Sequence, residues 1–502
     1  MRYFSDKEIA EVSLYEFFKQ SWHVVEGNTP YVHEWYLEEI ANSLEDCFYR
    51  KINNLLINLP PRKGKTNLIS IVFPVWVWLH NPQEKFLCAS YSNTLSLKIA
   101  DKSRMLIESP WFQQRWGDRL KLRREQNSKS YFANSQGGYR MSTSVGSFVT
   151  GLGCDIQISD DINDPSGESE VTMDSVNVWW SQKWFNRLND IATGVRILVQ
   201  QRSQSENDVS GNIIAKDINN EWVKYILPME FESNVKSNFR DRRTTEGELL
   251  SCRDTPAIIA QLKRELGSSG YAAQYQQRPA PLEGGIIKKH WFKLHNTDGL
   301  PNVEYVLQSW DTALTGKDDS SYSACTTWGV FKGEHGNRQV ILLSMWRGRI
   351  EYPELRQRVK RLALDYMDIG DITPRGYNYR KPDVILIEAK ASGDPLIADL
   401  NRASIYAVPF VPNKYGDKVQ RVRLVTPLIE SGCVFMPTEY GKLTSVADEF
   451  VNSVSYFPNT DSRDLVDTMT QALIRLKQDD MLRHPEDKVV IKGYRETIES
   501  VY

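Results

Sequence analysis

The stretch LLINLPPRKGKT, residues 55–66, reads as an apolar strand, a sharp basic loop and then, from Gly64-Lys65-Thr66 onward, the opening of an apolar helix. In that order, backbone N–H groups and a helix N-terminus can face phosphate oxygens. The phosphate-loop pattern asks for Gly, four free residues and then Gly-Lys-Ser/Thr. Gly64, Lys65 and Thr66 satisfy its end, whereas Leu59 stands where the first Gly belongs. In a nucleotide site Lys65 neutralises the outer phosphates and Thr66 holds magnesium, and Arg62 and Lys63 count among the nucleotide-contacting residues of the loop. A basic loop joining a strand to a helix fits the same letters. A second motif has to decide between them.

That motif is GCDIQISDDIND, residues 153–164, an alternating strand that ends in Asp160 and Asp161. A phosphate-loop ATPase needs one carboxylate at a strand end to bind the magnesium shell and a neighbour to orient the attacking water. Asp160 takes the first role and Asp161, as the catalytic acid, the second. A third strand, GVRILVQQR, residues 194–202, ends in polar groups, of which Gln201 and Arg202 can sense the terminal phosphate and couple its loss to movement. For a charge-stabilising arginine there are two candidates. Arg62 can act within the chain, and Arg140, on the Gly-rich stretch 137–151, can be presented to a neighbouring subunit.

The chain has 502 residues, which exceeds one ordinary core and implies two or more domains. Its formal charge of -2 gives no global basic signal, so any nucleic-acid contact rests on local patches. The six cysteines lie far apart and the seven histidines show no ligand spacing, which argues for reduced, buried thiols over a structural zinc site. The first residues carry acids where a secretory signal needs a basic and then apolar run. The longest apolar stretch, LISIVFPVWVWLH, is short and broken by Pro74. A soluble, intracellular protein is the expectation.

Strand and helix patterns before and after residues 267–287, GSSGYAAQYQQRPAPLEGGII, differ in texture, and the domain boundary belongs there. Residues 1–266 alternate short β-rich runs with helical windows, as in a mainly parallel sheet covered on both faces. Residues 267–300 form the junction and 301–480 a mixed second domain, followed by a polar tail, 481–502. The second domain opens with three strands in quick succession, an antiparallel meander. A helical window from about Tyr352 to Tyr366, the strand DVILIEA and the late helix SRDLVDTMTQALIRLKQ follow. Asp311 ends the first strand, Glu388 ends the isolated one and Asp464 opens the late helix. Such acids can converge, and once together they need divalent cations to offset their repulsion. Two metals held this way activate water and stabilise the leaving oxygen in phosphodiester hydrolysis. Asp467 shares the helix face of Asp464 and is the alternative third ligand. Lys390, beside Glu388, can steady a carboxylate or meet a DNA phosphate.

With both constellations in view, the chain resembles the large terminase subunits of tailed double-stranded DNA bacteriophages, over most of its length. NLPPRKGKT looks like the family's deviant phosphate loop, in which the missing first Gly is tolerated and a histidine is common where Lys63 stands. DIQISDD is similar to its acidic strand, ILVQQR to its coupling motif and QYQQRPAPLEGG to its domain junction. SWDTALTGKDDSSYSA, ILIEAKASGDPLI and SRDLVDTMTQAL look like its nuclease segments. The resemblance implies a P-loop ATPase domain followed by an RNase H-like α/β nuclease domain. It implies ATP with Mg²⁺ in the first, and Mg²⁺ or Mn²⁺, as two ions, in the second. The implied activity is packaging of duplex DNA into a procapsid with cutting of concatemers. Portal protein and a small terminase subunit are the implied partners, in a homo-oligomeric ring at the portal vertex in the host cytoplasm. Trp35 is placed near the adenine by the same resemblance. Arg463 departs from it, since the family often has Asp there, and this leaves the choice between Asp464 and Asp467 open. A P-loop helicase-nuclease of DNA repair is the alternative reading, and a nucleotide-binding clamp without catalysis is a third.

Overall fold

The computed structural model describes residues 5–482 apart from 124–127, 148–150, 165–169, 204, 236, 240, 280–284, 296–299, 314–321, 334–335, 365–366, 374–375, 390–392, 440, 459 and 461, with the backbone alone at 170, 367–373 and 376–380. The chain divides into two compact units, Met1–Pro281 and Leu282–Tyr502. The division falls inside the expected junction, whose first residues still belong to a helix, Pro256–Gln274, with Tyr271 and Ala273 buried. Among the described residues no helix is long and apolar enough to cross a membrane. The six cysteines are free, five of them buried and Cys252 exposed.

The first unit is built on a seven-stranded sheet. Its strands are β1 (Asn54–Asn58), β2 (Lys85–Ser90), β3 (Tyr131–Ala133), β4 (Tyr139–Ser144), β5 (Ile156–Asp160), β6 (Val195–Gln200) and β7 (Val223–Ile226), in the order β3-β4-β2-β5-β6-β1-β7. Every pair is parallel except β3 with β4. Strands buried on both faces carry no polar alternation. Accordingly Leu55 and Ile57 enter the core under the helices Leu14–Val25, Trp35–Phe48 and Phe73–His80, while Leu56 enters a second core with Trp179, Trp180, Trp184 and Trp222 on the opposite face. The strand order matters for chemistry. β6 lies between β1 and β5, pairing Asn58 with Gln200 and Val199 with Asp160, so three strand ends deliver their loops to one edge.

In the second unit the strands are β8 (Lys293–His295), β9 (Val303–Asp311), β10 (Ser323–Lys332), β11 (Arg338–Gly348), β12 (Met367–Thr373), β13 (Gly376–Arg380), β14 (Val384–Glu388), β15 (Ala407–Phe410), β16 (Val434–Glu439) and β17 (Lys442–Leu443). β12 and β13 pair with each other alone. The main sheet runs β15-β14-β9-β10-β11-β16-β17, with β8 beside β16. β9, β10 and β11 form the expected antiparallel meander, and β14 and β15 add in parallel on the far side of β9. Three antiparallel strands flanked in this way give the RNase H-like order. The late helix, Arg463–Gln478, packs Met469, Ala472 and Leu473 against Leu307 and Trp328 on one face. The helix Tyr352–Leu364 covers the other face with Leu355 and Val359.

Candidate nucleotide and metal sites

The phosphate loop leaves β1 at Leu59, whose N–H donates to Gln200 O at 3.2 Å and whose side chain is fully buried. This explains the departure from the general pattern. At this position the chain is still in the sheet ladder, where a Leu fills core and a Gly would leave a gap. The turn is made later, by Arg62 at φ 61° and Gly64 at φ 82°, both left-handed. A Cβ at Gly64 would also come within 3.2 Å of Leu37, so the position suits glycine on two counts.

Beyond the turn, five side chains meet. Thr66 Oγ1 donates to Asp160 Oδ1 at 3.2 Å and Ser70 Oγ to Asp160 Oδ2 at 2.6 Å. Lys65 Nζ pairs with Asp161 Oδ1 at 2.9 Å. The same Asp161 oxygen accepts the backbone N–H of Gln201 at 3.0 Å. Asp161 sits at φ 46°, a sparsely populated conformation for a non-glycine that turns its carboxylate back over the loop. Burial, and then the charge of Asp161, push the Asp160 carboxyl up to about 6, against the pull of Lys65, Ser70 and Thr66. Of the expected set, Gly64, Lys65, Thr66, Asp160, Asp161 and Gln201 are therefore together.

Other expected residues have partners of their own, and for Arg140 the expectation is corrected. Lys63 turns away from the loop's interior and pairs with Asp254, 2.6 Å from Oδ2, in a nearly buried bridge. Arg202 is locked onto Asp208 at 2.8 Å, and its own N–H donates to Gln277. Arg140 is 1% exposed; its guanidinium donates to Ser70 O and Ser103 Oγ inside the core, so it is not presented to a neighbour. Arg62 remains exposed at the turn. Trp35 stacks on Phe239 with ring planes 12° apart. Ser70 and Asp254 went unnoticed in the sequence. Ser70 lies four residues past Thr66, one helical turn along, and that spacing was the available signal.

The two aspartates at the end of β5, Asp160 and the following Asp161, should separate by substitution. Asp161→Asn is expected to keep nucleotide binding and lose turnover, since it disturbs only the orientation of the attacking water. Asp160→Asn is expected to weaken the magnesium dependence of binding as well. A pH titration adds a second mark. The raised Asp160 carboxyl takes up a proton as pH falls through about 6, so magnesium-dependent binding weakens there in the wild type and loses that step in Asp160→Asn. Equal loss of affinity in both variants, measured by titration of a fluorescent nucleotide, would remove the division of roles.

In the second unit Trp310 pairs with Ile387 across β9 and β14, so the next residues, Asp311 and Glu388, end neighbouring parallel strands. The late helix brings Asp467 to the same place. One oxygen from each of Asp311, Glu388 and Asp467 lies within 4.8 Å of the others. Desolvation, and then the charges of Asp467 and Glu388, hold the Asp311 carboxyl well above its ordinary range, while Lys418 opposes them. An all-oxygen donor set of gathered like charges fits a hard divalent cation. Behind it, Gln471 donates to Glu388 Oε2 at 3.3 Å and accepts from Ser309 at 3.3 Å.

Asp464 is corrected as the third carboxylate. Its two oxygens take a bidentate pair from Arg347, at 2.7 and 3.0 Å, one turn away from the cluster. It is Asp467, one turn beyond Arg463 and Asp464, that lies with Asp311 and Glu388. Asp467 in turn faces Arg421 at 2.8 Å and Lys418 at 2.5 Å. Lys390 lies outside the described residues.

No protein-family model and no curated protein matches the chain. Among solved structures it is similar to the large terminase of the thermophilic bacteriophage D6E, at 9% identity and TM-score 0.47, over 91% of this chain and 98% of that one. It is also similar to the HK97 bacteriophage large terminase, at 10% identity and TM-score 0.34, over 91% of this chain and 99% of that one. A third likeness, to the large terminase nuclease of thermophilic phage G20c with bound magnesium, has 13% identity and TM-score 0.25 and spans 39% of this chain and 99% of that one.

Proposed function

We propose that this chain is the large subunit of a phage terminase, an ATPase that drives duplex DNA into a procapsid and a metal-dependent endonuclease that cuts the concatemer. One observation carries the reading. A phosphate loop backed by two strand-end aspartates and a cluster of three carboxylates stand on separate units of one chain. The strand order of the first unit, with β6 between the loop strand and the acidic strand, supports it by setting the polar end of β6 between the phosphate loop and Asp160.

In the first unit Thr66, Asp160 and Ser70 would hold the magnesium of a bound nucleotide, Lys65 would meet its outer phosphates, and Asp161, now paired with Lys65, would orient water. Gln201 touches Asp161 through its backbone, so β6 is placed to transmit the change towards Arg202 and Gln277. In the second unit Asp311, Glu388 and Asp467 would hold the cation. Divalent ions there supply activation of water and stabilisation of the leaving oxygen. Gln471 fixes Glu388 and orients it. Double-stranded DNA is the substrate of both activities; portal protein and a small subunit complete the machine, a ring at the procapsid vertex in the host cytoplasm. The test is protection of DNA from added DNase by procapsids bearing portal, with ATP and this protein. ATP-dependent protection is expected. Strand separation of a duplex in place of protection would replace this reading with that of a helicase.

A further inference from the structure

The reading of Asp311, Glu388 and Asp467 as a cation site leaves two charges unexplained, Lys418 and Arg421. Both come from the helix Lys418–Glu430, and together they cover Asp467, with Lys418 Nζ 2.5 Å from Oδ2 and Arg421 Nη2 2.8 Å from Oδ1. Lys418 is the first residue of that helix. A cation is disfavoured there, because unpaired N–H groups already make the N-terminus positive. The helix start is fixed by Asp417 and Gln420, which cap each other's backbone N–H groups, so the backbone that carries Lys418 is held in place. Its ammonium also donates to Arg463 O at 3.3 Å, at the start of the late helix.

The two cations differ in freedom. The Arg421 side chain is 7% exposed and donates to Gly416 O as well as to Asp467, whereas the Lys418 side chain is 30% exposed and can move. Both oxygens of Asp467 are thus already met by cations, Oδ2 by Lys418 and Oδ1 by Arg421. A first divalent ion can still be shared by the gathered carboxylates. A second one on the Asp467 side would lie beside the Lys418 ammonium and be repelled by it.

We propose that Lys418 stands in for a second divalent ion, so that the cluster binds one ion per chain. The proposal rests on the metal-site reading above. The experiment is a Mn²⁺ titration of the full-length, nucleotide-free protein followed by electron paramagnetic resonance, counting the ions that disappear on Asp311→Asn. One such ion is expected for the wild type and for Lys418→Arg. Two are expected for Lys418→Met, the first held at least about tenfold tighter than in the wild type, because a neighbouring positive charge is gone. Two ions in the wild type overturn the proposal alone. So does an unchanged count in Lys418→Met, including the case where only the melting temperature falls, which would mark a clamp between two helices. Absence of any Asp311-dependent ion overturns the metal site itself, and the proposal with it.

Discussion

Lys65→Ala is expected to reduce ATP hydrolysis by at least about a thousandfold, because it removes the charge that meets the outer phosphates in the transition state. The backbone donors of the loop cannot replace it. The structure adds a second consequence. In the nucleotide-free chain Lys65 balances Asp161, 2.9 Å away, and its loss leaves two neighbouring aspartates, one of them buried, with less to offset their repulsion. The variant should melt below the wild type. Adding Asp161→Asn removes one of the two charges, so the double variant should regain much of that stability while remaining inactive, a coupling that a double-mutant cycle isolates. ATP turnover and thermal melting of the four proteins measure both effects. Hydrolysis by Lys65→Ala at near the wild-type rate would end the phosphate-loop reading. DNA cutting by the second unit, where the carboxylate cluster lies, should be unchanged throughout.

How much of this was legible depends on what each residue has to satisfy. Lys65, Thr66, Asp160 and Asp161 could be read because a phosphate site restricts both residue type and place, the end of a strand or the start of a helix. The same held for Asp311 and Glu388, which end neighbouring strands. Arg140 misled, and the partners of Lys63 and Arg202 went unseen, because a guanidinium or ammonium in a Gly-rich or loop stretch has the same letters whether it faces solvent or a buried partner. Their partners, Ser70 and Ser103, Asp254, and Asp208, lie at separations that no periodicity reports. The helix Lys418–Glu430 escaped for a local reason. Pro427 lies within it and breaks the helical pattern, although Asp417 and Gln420 spell a capping box and Gly432 lies just beyond its end. With that helix unseen, nothing in the sequence could show that Asp467 has two cations waiting for it. The sequence therefore left Asp464 and Asp467 equal, one turn apart on one face.

Asp467→Asn and Asp464→Asn should now part company, in the direction opposite to the one that the late helix's first acid suggests. Asp467 contributes an oxygen to the cluster, so its amide should reduce Mn²⁺-supported plasmid cleavage by at least about a thousandfold. Asp464 is occupied by Arg347, which also lies 3.9 Å over the Tyr322 ring. Its amide should keep cleavage within about tenfold and lower the melting temperature instead, as loss of a partly buried ion pair does. Asp311→Asn provides the reference. It should be as inactive as Asp467→Asn, with ATP hydrolysis intact, and yet gain stability in metal-free buffer. The sign follows from the raised Asp311 carboxyl. A carboxyl whose pKa is higher in the fold than in the unfolded chain stabilises the fold at low pH, and that contribution is lost as pH rises through the raised value. At neutral pH the wild type has lost some or all of it, while an uncharged amide keeps the cluster less repulsive. Melting curves at pH 7 in a chelator, beside cleavage assays with Mg²⁺ and with Mn²⁺, give every quantity needed. If Asp464→Asn proves as inactive as Asp467→Asn while still folded, the late helix must turn when the cation arrives, and Arg347 then releases Asp464 to the site.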